Sequence, residues 1–215
     1  MYDYSKTLNP QKALIWRIIH RDNLPWVLNH GLYCGNHINK SPKWVGIGNN
    51  ELIDKRAHYP VPIGCGGFLN DYVPFYFTPF SPMLYNILTG RGVAKRNTEE
   101  IIILVSSIYK IVKLGLPFVF TDKHACVQWT KFYLDIAELD KIDWGILQRR
   151  DFQRDENDPV KLERYQAEFL VYQHCPLEAI MGIICYNSTT QTLIEQWLKQ
   201  ANSNIPVYAR TKWYF

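Results

Sequence analysis

The segment EIIILVSS, residues 100–107, places the strongest constraint on the fold of this chain. Its aliphatic residues follow one another without a polar interruption, and most of them are β-branched. An unbroken apolar run of this length is typical of a strand that is fully buried in a sheet. The sequence therefore predicts a core strand here, with the other elements packed around it.

Apolar patterning predicts further strands and helices on both sides of this segment. The predicted strands are residues 15–20, 72–77, 116–122, 167–172, 178–186 and 207–215. The predicted helices are residues 22–32, 82–88, 124–147 and 190–201. Residues 34–71 are expected to be irregular, and residues 148–165 to form a charged loop or a short helix. Because the strands and helices do not alternate as βαβ units, the pattern indicates an α+β fold.

Length and composition indicate one folded domain over residues 1–215. Hydrophobic residues make up 47% of the chain, which is enough for a sizeable core. The formal net charge of +4 allows an anionic partner such as nucleic acid without requiring one. The N-terminus lacks the features of a secretion signal, and the longest apolar stretch is interrupted by Lys110 and Lys113. We therefore expect a cytoplasmic protein with no membrane partner.

Cysteine and glycine spacing exclude several classes of site. The cysteines are odd in number and form no CxxC pair, which argues against a disulfide framework or a structural zinc site, so no metal is expected. The histidines lack HExxH or zinc-finger spacing. GIGNN (46–50) and GCGG (64–67) lack the spacing of a dinucleotide or P-loop motif and are interpreted as turns. A Cys–His hydrolase stays open, because its partners need not be close in sequence.

The stretch RRDFQRDENDPVKLER, residues 149–164, allows two interpretations. Its acidic residues nearly cancel its basic ones, which is typical of a solvated loop. Alternatively, the guanidinium groups of Arg149, Arg150, Arg154 and Arg164 could grip phosphates, since their forked shape matches phosphate oxygens. Pattern alone leaves both interpretations open.

Glu168 is an unusual residue for its position, because it begins the apolar strand EFLVY. Charged side chains are almost never fully buried unless they are paired. The carboxylate could therefore face solvent on an edge strand, or it could face a cleft and stabilise positive charge at a sugar carbon. The pattern does not decide between these two interpretations.

Several longer stretches resemble one known family. They are WRIIHRDNLPWVLNHGL, KRAHYPVPIGCGGFLNDYVPFYFTPFSPMLY, LPFVFTDKHA, RYQAEFLVYQHCP and the closing KWYF. Together they are similar to the DarT family, the DNA ADP-ribosyltransferase toxins of DarTG toxin–antitoxin systems. The resemblance implies an α+β ADP-ribosyltransferase fold with a split, mixed β core, an NAD cleft and flanking helices.

The same resemblance implies the activity and its partners. Family members use NAD as a substrate and attach ADP-ribose to a thymidine base in single-stranded DNA, in a preferred sequence context, which blocks replication. A DarG macrodomain antitoxin would be the cognate partner. Two alternatives are kept: a single-stranded nucleic-acid binding module without catalysis, and an ADP-ribosyltransferase that acts on protein or RNA.

Residue by residue, the resemblance makes Glu168 the catalytic glutamate and Arg56 the key arginine. It implies a set of cofactor contacts, namely Trp16, Arg17, Ile18, Asn23, Gly31, Tyr33 and Tyr76. Residues 39–57 would cover NAD, and the region from His124 to Glu168 would present the DNA. Met83 is a further candidate for the base site.

Two positions depart from the family pattern. Arg17 stands where many relatives have His, which affects which group holds the ribose. Phe80 stands where many relatives have Arg, which removes one phosphate contact. The family interpretation gives Arg56 a role in handling the thymine proton. Because a guanidinium stays protonated in proteins, we expect Arg56 instead to pair with the NAD pyrophosphate, to polarise the base, or both.

Overall fold

The computed structural model describes residues 3–215 and has a mixed β-sheet at its centre. Ten strands are formed: β1 Leu14–His20, β2 Leu32–Tyr33, β3 Tyr72–Tyr76, β4 Ile101–Ser107, β5 Phe118–Thr121, β6 Phe132–Tyr133, β7 Glu168–Tyr172, β8 His174–Cys175, β9 Gly182–Cys185 and β10 Val207–Ala209. Eight of them form one sheet in the order β10-β9-β4-β1-β3-β7-β5-β6, and β2 pairs with β8 separately. All neighbours in the large sheet are antiparallel except β9 and β10. The predicted α+β class is confirmed.

The large sheet is split between β1 and β3. Strand β1 pairs with β4 along its whole length, but it pairs with β3 only at Trp16 and Tyr76. Pro74 in β3 has no N–H to donate, so a continuous ladder cannot form there. The side chain of Arg17 fills this position, because its Nη1 donates to the Pro74 carbonyl at 3.0 Å. The split opens a space between the two halves of the sheet.

Helices flank the sheet, and most of them begin at a side-chain cap. They are α1 Leu24–His30, α2 Asn50–Ala57, α3 Pro82–Thr89, α4 Ile108–Lys113, α5 Trp144–Gln148, α6 Lys161–Tyr165 and α7 Ser188–Gln200. Asn49, Ser81 and Asn187 accept backbone N–H groups at the starts of α2, α3 and α7. Helix α1 ends at Gly31, whose φ of 73° suits glycine.

The core confirms the opening prediction. Every residue from Ile101 to Leu104 is fully buried, because β4 lies between β1 and β9. The strands predicted at 15–20, 72–77, 116–122 and 167–172 are also present within a few residues.

The helix predicted at 124–147 is wrong. This region contains β6, a 3-10 helix at Ile136–Lys141 and the short helix α5. Asp135 and Asp143 explain the difference, since each carboxylate accepts a backbone N–H two or three residues farther on and so starts a new short helix where a continuous one was predicted. The aromatic pair Phe132–Tyr133 then adds as an edge strand to β5.

Three other predicted elements are shorter or interrupted. Residues 34–71 are not wholly irregular, because they contain α2 and a 3-10 helix at Leu69–Asp71. The predicted strand at 178–186 is reduced to β9, which follows a 3-10 turn at Leu177–Ala179. The predicted closing strand ends at Ala209, and the chain continues into a 3-10 turn.

Candidate active site

A cavity of about 360 Å³ opens at the split in the sheet. Its walls come from β1, β3, the start of β7, helix α2 and the segment from Gly35 to Asn49. The volume lies in the range of small-molecule sites, about 300–1,000 Å³. Of the predicted site residues, the following line it: Arg17, Ile18, Asn23, Tyr33, Arg56, Tyr76, Met83, His124 and Glu168.

Glu168 lies in the floor of this cavity and is only 2% exposed. Strand β7 lies between β3 and β5, so the interpretation of Glu168 as a solvent-facing edge residue is wrong. Its carboxylate pairs with Arg56, whose Nη1 donates to Oε2 at 2.8 Å and to Oε1 at 3.1 Å. Arg56 reaches it from the last turn of α2 and is itself 8% exposed. The paired charge explains how a carboxylate can be buried in this strand.

Two groups from the β5 end fix the orientation of Glu168. The backbone N–H of Ala125 donates to Oε1 at 3.0 Å. The hydroxyl of Thr121 accepts the backbone N–H of Glu168 at 3.0 Å and donates to the carbonyl of Lys123 at 2.7 Å. Because β5 pairs with β7, these two contacts hold both the backbone and the side chain of the glutamate.

The electrostatics of the pair keep both groups charged. Burial acts to raise the pKa of Glu168, but the Arg56 charge, His124 and the Ala125 N–H outweigh it and hold that pKa below the ordinary value. Burial acts to lower the pKa of Arg56, and the Glu168 charge reverses this and raises it. Glu168 is therefore a carboxylate at neutral pH, and Arg56 is a guanidinium cation that has no capacity to act as a base in this state.

Arg17 and Tyr76 lie on either side of the split, next to this pair. Burial lowers the pKa of Arg17 to about 10, so it remains a cation at neutral pH. Burial likewise raises the pKa of Tyr76 to about 12, and its hydroxyl donates to the sulfur of Met83 at 3.2 Å. Two guanidinium groups and one carboxylate thus line the cavity, which leaves a local excess of positive charge for an anionic ligand.

Two donors in the cavity wall are buried without a hydrogen-bond partner in the described residues. They are Nη2 of Arg56 and Nε of Arg17. A buried donor without an acceptor costs about 1–3 kcal/mol. Such donors are expected where a bound ligand supplies the missing acceptor, so these two atoms mark positions for ligand oxygens.

Asn23 holds the segment that covers the cavity. Its Nδ2 donates to the Val45 carbonyl at 2.9 Å, and its Oδ1 accepts the Val45 N–H at 2.8 Å. Asn23 precedes α1, but it makes no side-chain cap bond there because its carboxamide is used by Val45. Farther along the segment, Asn49 donates to the Gly92 carbonyl at 3.0 Å. Asn23 therefore positions the wall of the cavity through Val45.

Trp16 and Gly31, both predicted cofactor contacts, do not line the cavity. Trp16 is fully buried in the core. Gly31 lets the backbone of Cys175 approach closely, since a Cβ at position 31 would lie 2.6 Å from the Cys175 carbonyl oxygen. This packing supports β8, where the ring of His174 stacks on Tyr33 with centroids 4.3 Å apart.

The arginines of the charged loop are not in the cavity. Arg164 is held by Asp143 at 3.0 Å and by Asp158 at 2.6 Å, which makes it a brace within the loop. Arg149 and Arg154 are exposed. Their DNA-binding roles stay predictions, and so does that of Arg150.

The thiols give no support to a Cys–His hydrolase. Burial raises the pKa of Cys34, Cys126, Cys175 and Cys185, which keeps these four thiols protonated. Residues 3–215 contain no cluster of His, Cys, Asp and Glu side chains that could hold a metal ion. In the same part of the chain, no helix is long and apolar enough to cross a membrane.

Comparison with known families gives the context of this cavity. The sequence profile described as "DarT: ssDNA thymidine ADP-ribosyltransferase" matches residues 16–215. The chain belongs to the DarT family. Curated DarT relatives named "DNA ADP-ribosyl transferase" include one from Escherichia coli O127:H6, 58% identical over 100% of this chain and 99% of that protein. Another, from Thermus sp. 2.9, is 38% identical over 98% of this chain and 100% of its own length.

Solved structures of DarT proteins have the same fold. Thermus sp. 2.9 DarT in complex with ADP-ribosylated ssDNA matches with a TM-score of 0.84 and 35% identity, and the match covers 100% of both chains. The same protein in complex with NAD+ matches with a TM-score of 0.83 and 37% identity, covering 96% of this chain and 99% of that one. The expected ADP-ribosyltransferase fold is thereby confirmed, and this member of the DarT family is an NAD-dependent DNA ADP-ribosyltransferase.

Phe80, which departs from the DarT pattern, lies in the core. It is fully buried beside Tyr4 and Trp213, with ring centroids 4.5 Å and 5.7 Å away. The guanidinium of Arg150 lies over its ring at 4.5 Å and over the ring of Phe215 at 4.4 Å. Position 80 thus joins the two ends of the described chain through aromatic packing.

Several residues of the site were not identified from sequence. The backbone N–H of Ala125 donates to the Glu168 carboxylate, and the Thr121 hydroxyl accepts the backbone N–H of Glu168. Only the pairing of β5 with β7 brings these two residues to Glu168. Trp44 and Asn49 lie in a segment with no periodic pattern. Gln166 also lines the cavity, where it ends helix α6 just before β7 begins.

Proposed function

We propose that this chain transfers ADP-ribose from NAD to a thymidine base in single-stranded DNA, with Glu168 and Arg56 as its catalytic residues. The observation that carries the proposal is the buried Glu168–Arg56 pair at the split in the sheet, 2.8 Å apart and open to the cavity. Glycosyl transfer needs a fixed negative charge beside the sugar carbon and cationic donors for phosphate oxygens. The cavity contains both.

The residues present fit NAD. The unpartnered Nη2 of Arg56 and Nε of Arg17 are suited to pyrophosphate or ribose oxygens. Tyr33 lines the cavity, and its ring is held in place by contacts with the rings of His37 and His174, so it forms a rigid aromatic wall of the site. Bound NAD would supply an ADP-ribosyl group whose nicotinamide leaves as positive charge develops at the ribose carbon.

Glu168 stabilises that positive charge. Its Oε1 already accepts two hydrogen bonds, from Ala125 and from Arg56, so the carboxylate does not have to reorganise during the reaction. Preorganised charge of this kind typically contributes about 3–4 kcal/mol to the transition state. Oε2 accepts only the Arg56 Nη1 and retains capacity for a ribose hydroxyl.

Arg56 acts as a donor rather than as a base. Its Nη1 binds Glu168, and its Nη2 can donate to a phosphate oxygen or to a thymine carbonyl. Donation to the carbonyl would make the neighbouring ring N–H more acidic, so its proton can pass to water as the ring nitrogen bonds to the ribose carbon and the bond to nicotinamide breaks. Arg56→Lys removes the second donor arm, so full activity in that variant would refute this role.

The assay incubates the purified protein with NAD and single-stranded oligonucleotides that contain or lack thymidine, and detects the adduct by intact mass. We expect an added ADP-ribose only on strands with thymidine. Adducts on RNA or on the protein instead would favour an ADP-ribosyltransferase with another acceptor. Binding without any adduct, from folded protein that binds NAD, would favour a nucleic-acid binding module.

A wider biological role follows from the same proposal. We infer that the activity blocks replication and makes the chain a toxin, controlled by a DarG macrodomain antitoxin. We also place it in the cytoplasm, since its five free cysteines suit a reducing compartment. Residues 1–215 would act as a single domain, because the catalytic pair joins α2 to β7. Growth arrest on expression, relieved by the antitoxin and absent for Glu168→Ala, would support these roles.

A further inference from the structure

The loop of residues 122–131 is fixed to the catalytic carboxylate. Its ends are joined, because Asp122 N–H donates to the Lys131 carbonyl at 3.4 Å and Lys131 N–H donates to the Asp122 Oδ1 at 3.0 Å. Inside the loop, the Thr130 hydroxyl donates to the His124 carbonyl at 2.8 Å. The same loop supplies the Ala125 N–H to Glu168 and places His124 in the cavity wall. It is therefore a closed and anchored element at the mouth of the site.

Trp129 lies on this loop and faces solvent. It is 60% exposed, more than any other aromatic side chain of residues 3–215. No aromatic ring in that part of the chain stacks on it. Much of the indole is left uncovered by the fold, so the anchored loop presents an aromatic face on which a planar ligand group can stack.

Trp129 is close to the cavity. It precedes Thr130, whose hydroxyl contacts the carbonyl of the cavity residue His124. Trp129 is therefore adjacent in sequence to a residue whose side chain contacts the cavity wall. A planar group that stacks on Trp129 would lie beside the site without occupying it.

The surroundings favour an anionic strand. Lys131, two residues beyond Trp129, is exposed. Lys55 is also exposed, and its charge acts on both His124 and Cys126 of the loop. A flat aromatic surface next to cationic side chains is the arrangement that binds single strands, because bases stack while phosphates are attracted.

We propose that Trp129 stacks on a base of the DNA strand that flanks the target thymine, and so contributes to the choice of sequence context. This inference rests on the proposed function. It assigns Trp129 to the DNA strand and not to NAD, since Trp129 is outside the residues that line the cavity.

The test compares Trp129→Ala with the wild-type protein on a set of oligonucleotides. Each has one thymidine, and each flanking nucleotide in turn is replaced by an abasic one. For the wild-type protein, the abasic change at one position should raise the oligonucleotide KM by about 5- to 150-fold, the range for loss of one base–aromatic stack. Trp129→Ala should show that higher KM on the intact strand and no further loss at that abasic position. Trp129→Phe should restore most of the difference.

Tyr208→Ala is the matched control. Tyr208 is also an exposed aromatic, but it lies on β10 at the opposite edge of the sheet. The Tyr208→Ala variant should show the same change in oligonucleotide KM at every abasic position as the wild-type protein. The inference is overturned if Trp129→Ala keeps the wild-type response to all abasic positions, or if it raises the KM for NAD as much as that for DNA. Absence of any thymine adduct with the wild-type protein would instead refute the proposed function.

Discussion

Glu168→Gln separates the charge of the buried Glu168 side chain from its shape. Oε1 of Glu168 accepts both Ala125 N–H at 3.0 Å and Arg56 Nη1 at 3.1 Å. A glutamine can keep both contacts by placing its carbonyl oxygen there. Its amide nitrogen then occupies the Oε2 position, 2.8 Å from Arg56 Nη1 in the native pair. The variant therefore keeps the packing, removes the negative charge and sets two donors against each other.

The stability that Glu168→Gln should lose follows from the burial of the Glu168–Arg56 pair. At a charge separation of about 4 Å and an effective dielectric constant of about 20, the attraction is on the order of 4 kcal/mol. Removing one member of a buried pair typically destabilises by about 3–5 kcal/mol, because the other charge stays buried without a partner. The total free energy of unfolding of a domain is about 5–15 kcal/mol, so the variant should still fold at 25 °C.

Catalysis should fall by about 100- to 1,000-fold in kcat, while the KM for NAD changes by less than about fivefold, because the lost charge acts mainly in the transition state. The assay is initial-rate transfer to a thymidine oligonucleotide, beside urea unfolding of the same preparation. The control is Arg56→Met with Glu168→Gln, which removes both charges. It should recover at least half of the lost stability but none of the lost activity.

Two outcomes would refute this reasoning. If Glu168→Gln keeps more than about a tenth of the wild-type kcat, the negative charge is not the catalytic element. If the double variant is less stable than Glu168→Gln, Arg56 is not left uncompensated in the single variant, and the stabilising role of the pair is wrong.

Three further predictions concern pH, the covering segment and the charged loop. The pKa of Glu168 lies below its ordinary value of about 4.3. The stability that the ionised carboxylate contributes is therefore fully present above that ordinary value and is lost as the pH falls through the folded-state pKa. Urea unfolding of the wild-type protein from pH 7 to 3 should show this loss, and Glu168→Gln should lack it. Asn23→Ala removes two bonds to Val45 of about 1 kcal/mol each, so it should raise the KM for NAD by up to about 30-fold and speed amide exchange in residues 38–48; unchanged exchange there would refute the tether. Arg149 and Arg154 are exposed, and neutralising both should weaken the dependence of DNA affinity on salt. The slope of log affinity against log salt concentration should become shallower by about 0.7 for each lost phosphate contact. An unchanged slope would place the DNA elsewhere.

Sequence reasoning predicted the strands of the core but not the connections between them. The runs at β4 and β7 are apolar enough to specify buried strands without tertiary information. The region 124–147 carries apolar residues near helical spacing, yet the side chains of Asp135 and Asp143 cap nearby backbone N–H groups and start two separate short helices there. Spacing alone does not show which of two competing local hydrogen-bond patterns is more stable.

The site was predictable only in part for a related reason. Glu168 and Arg56 were identified because they belong to long motifs that resemble one family, whereas the residue pattern alone also allowed an edge carboxylate. Asn23 was placed in the site, but its contact is Val45 in the covering segment, a pairing across 22 residues of chain. The role of Thr121 depends on the register of β5 against β7, which no local sequence signal specifies.

The split in the sheet connects the fold to the chemistry. A continuous sheet would use the backbone groups of β1 and β3 for each other and would leave no cavity between them. Pro74 prevents that pairing, and Arg17 stabilises the gap by binding the Pro74 carbonyl with Nη1 while its Nε stays unpartnered. A histidine at position 17 is shorter and has no second arm. In this chain, therefore, one side chain both holds the split open and offers a cationic donor to the ligand, so Arg17→His should weaken NAD binding together with stability rather than either property alone.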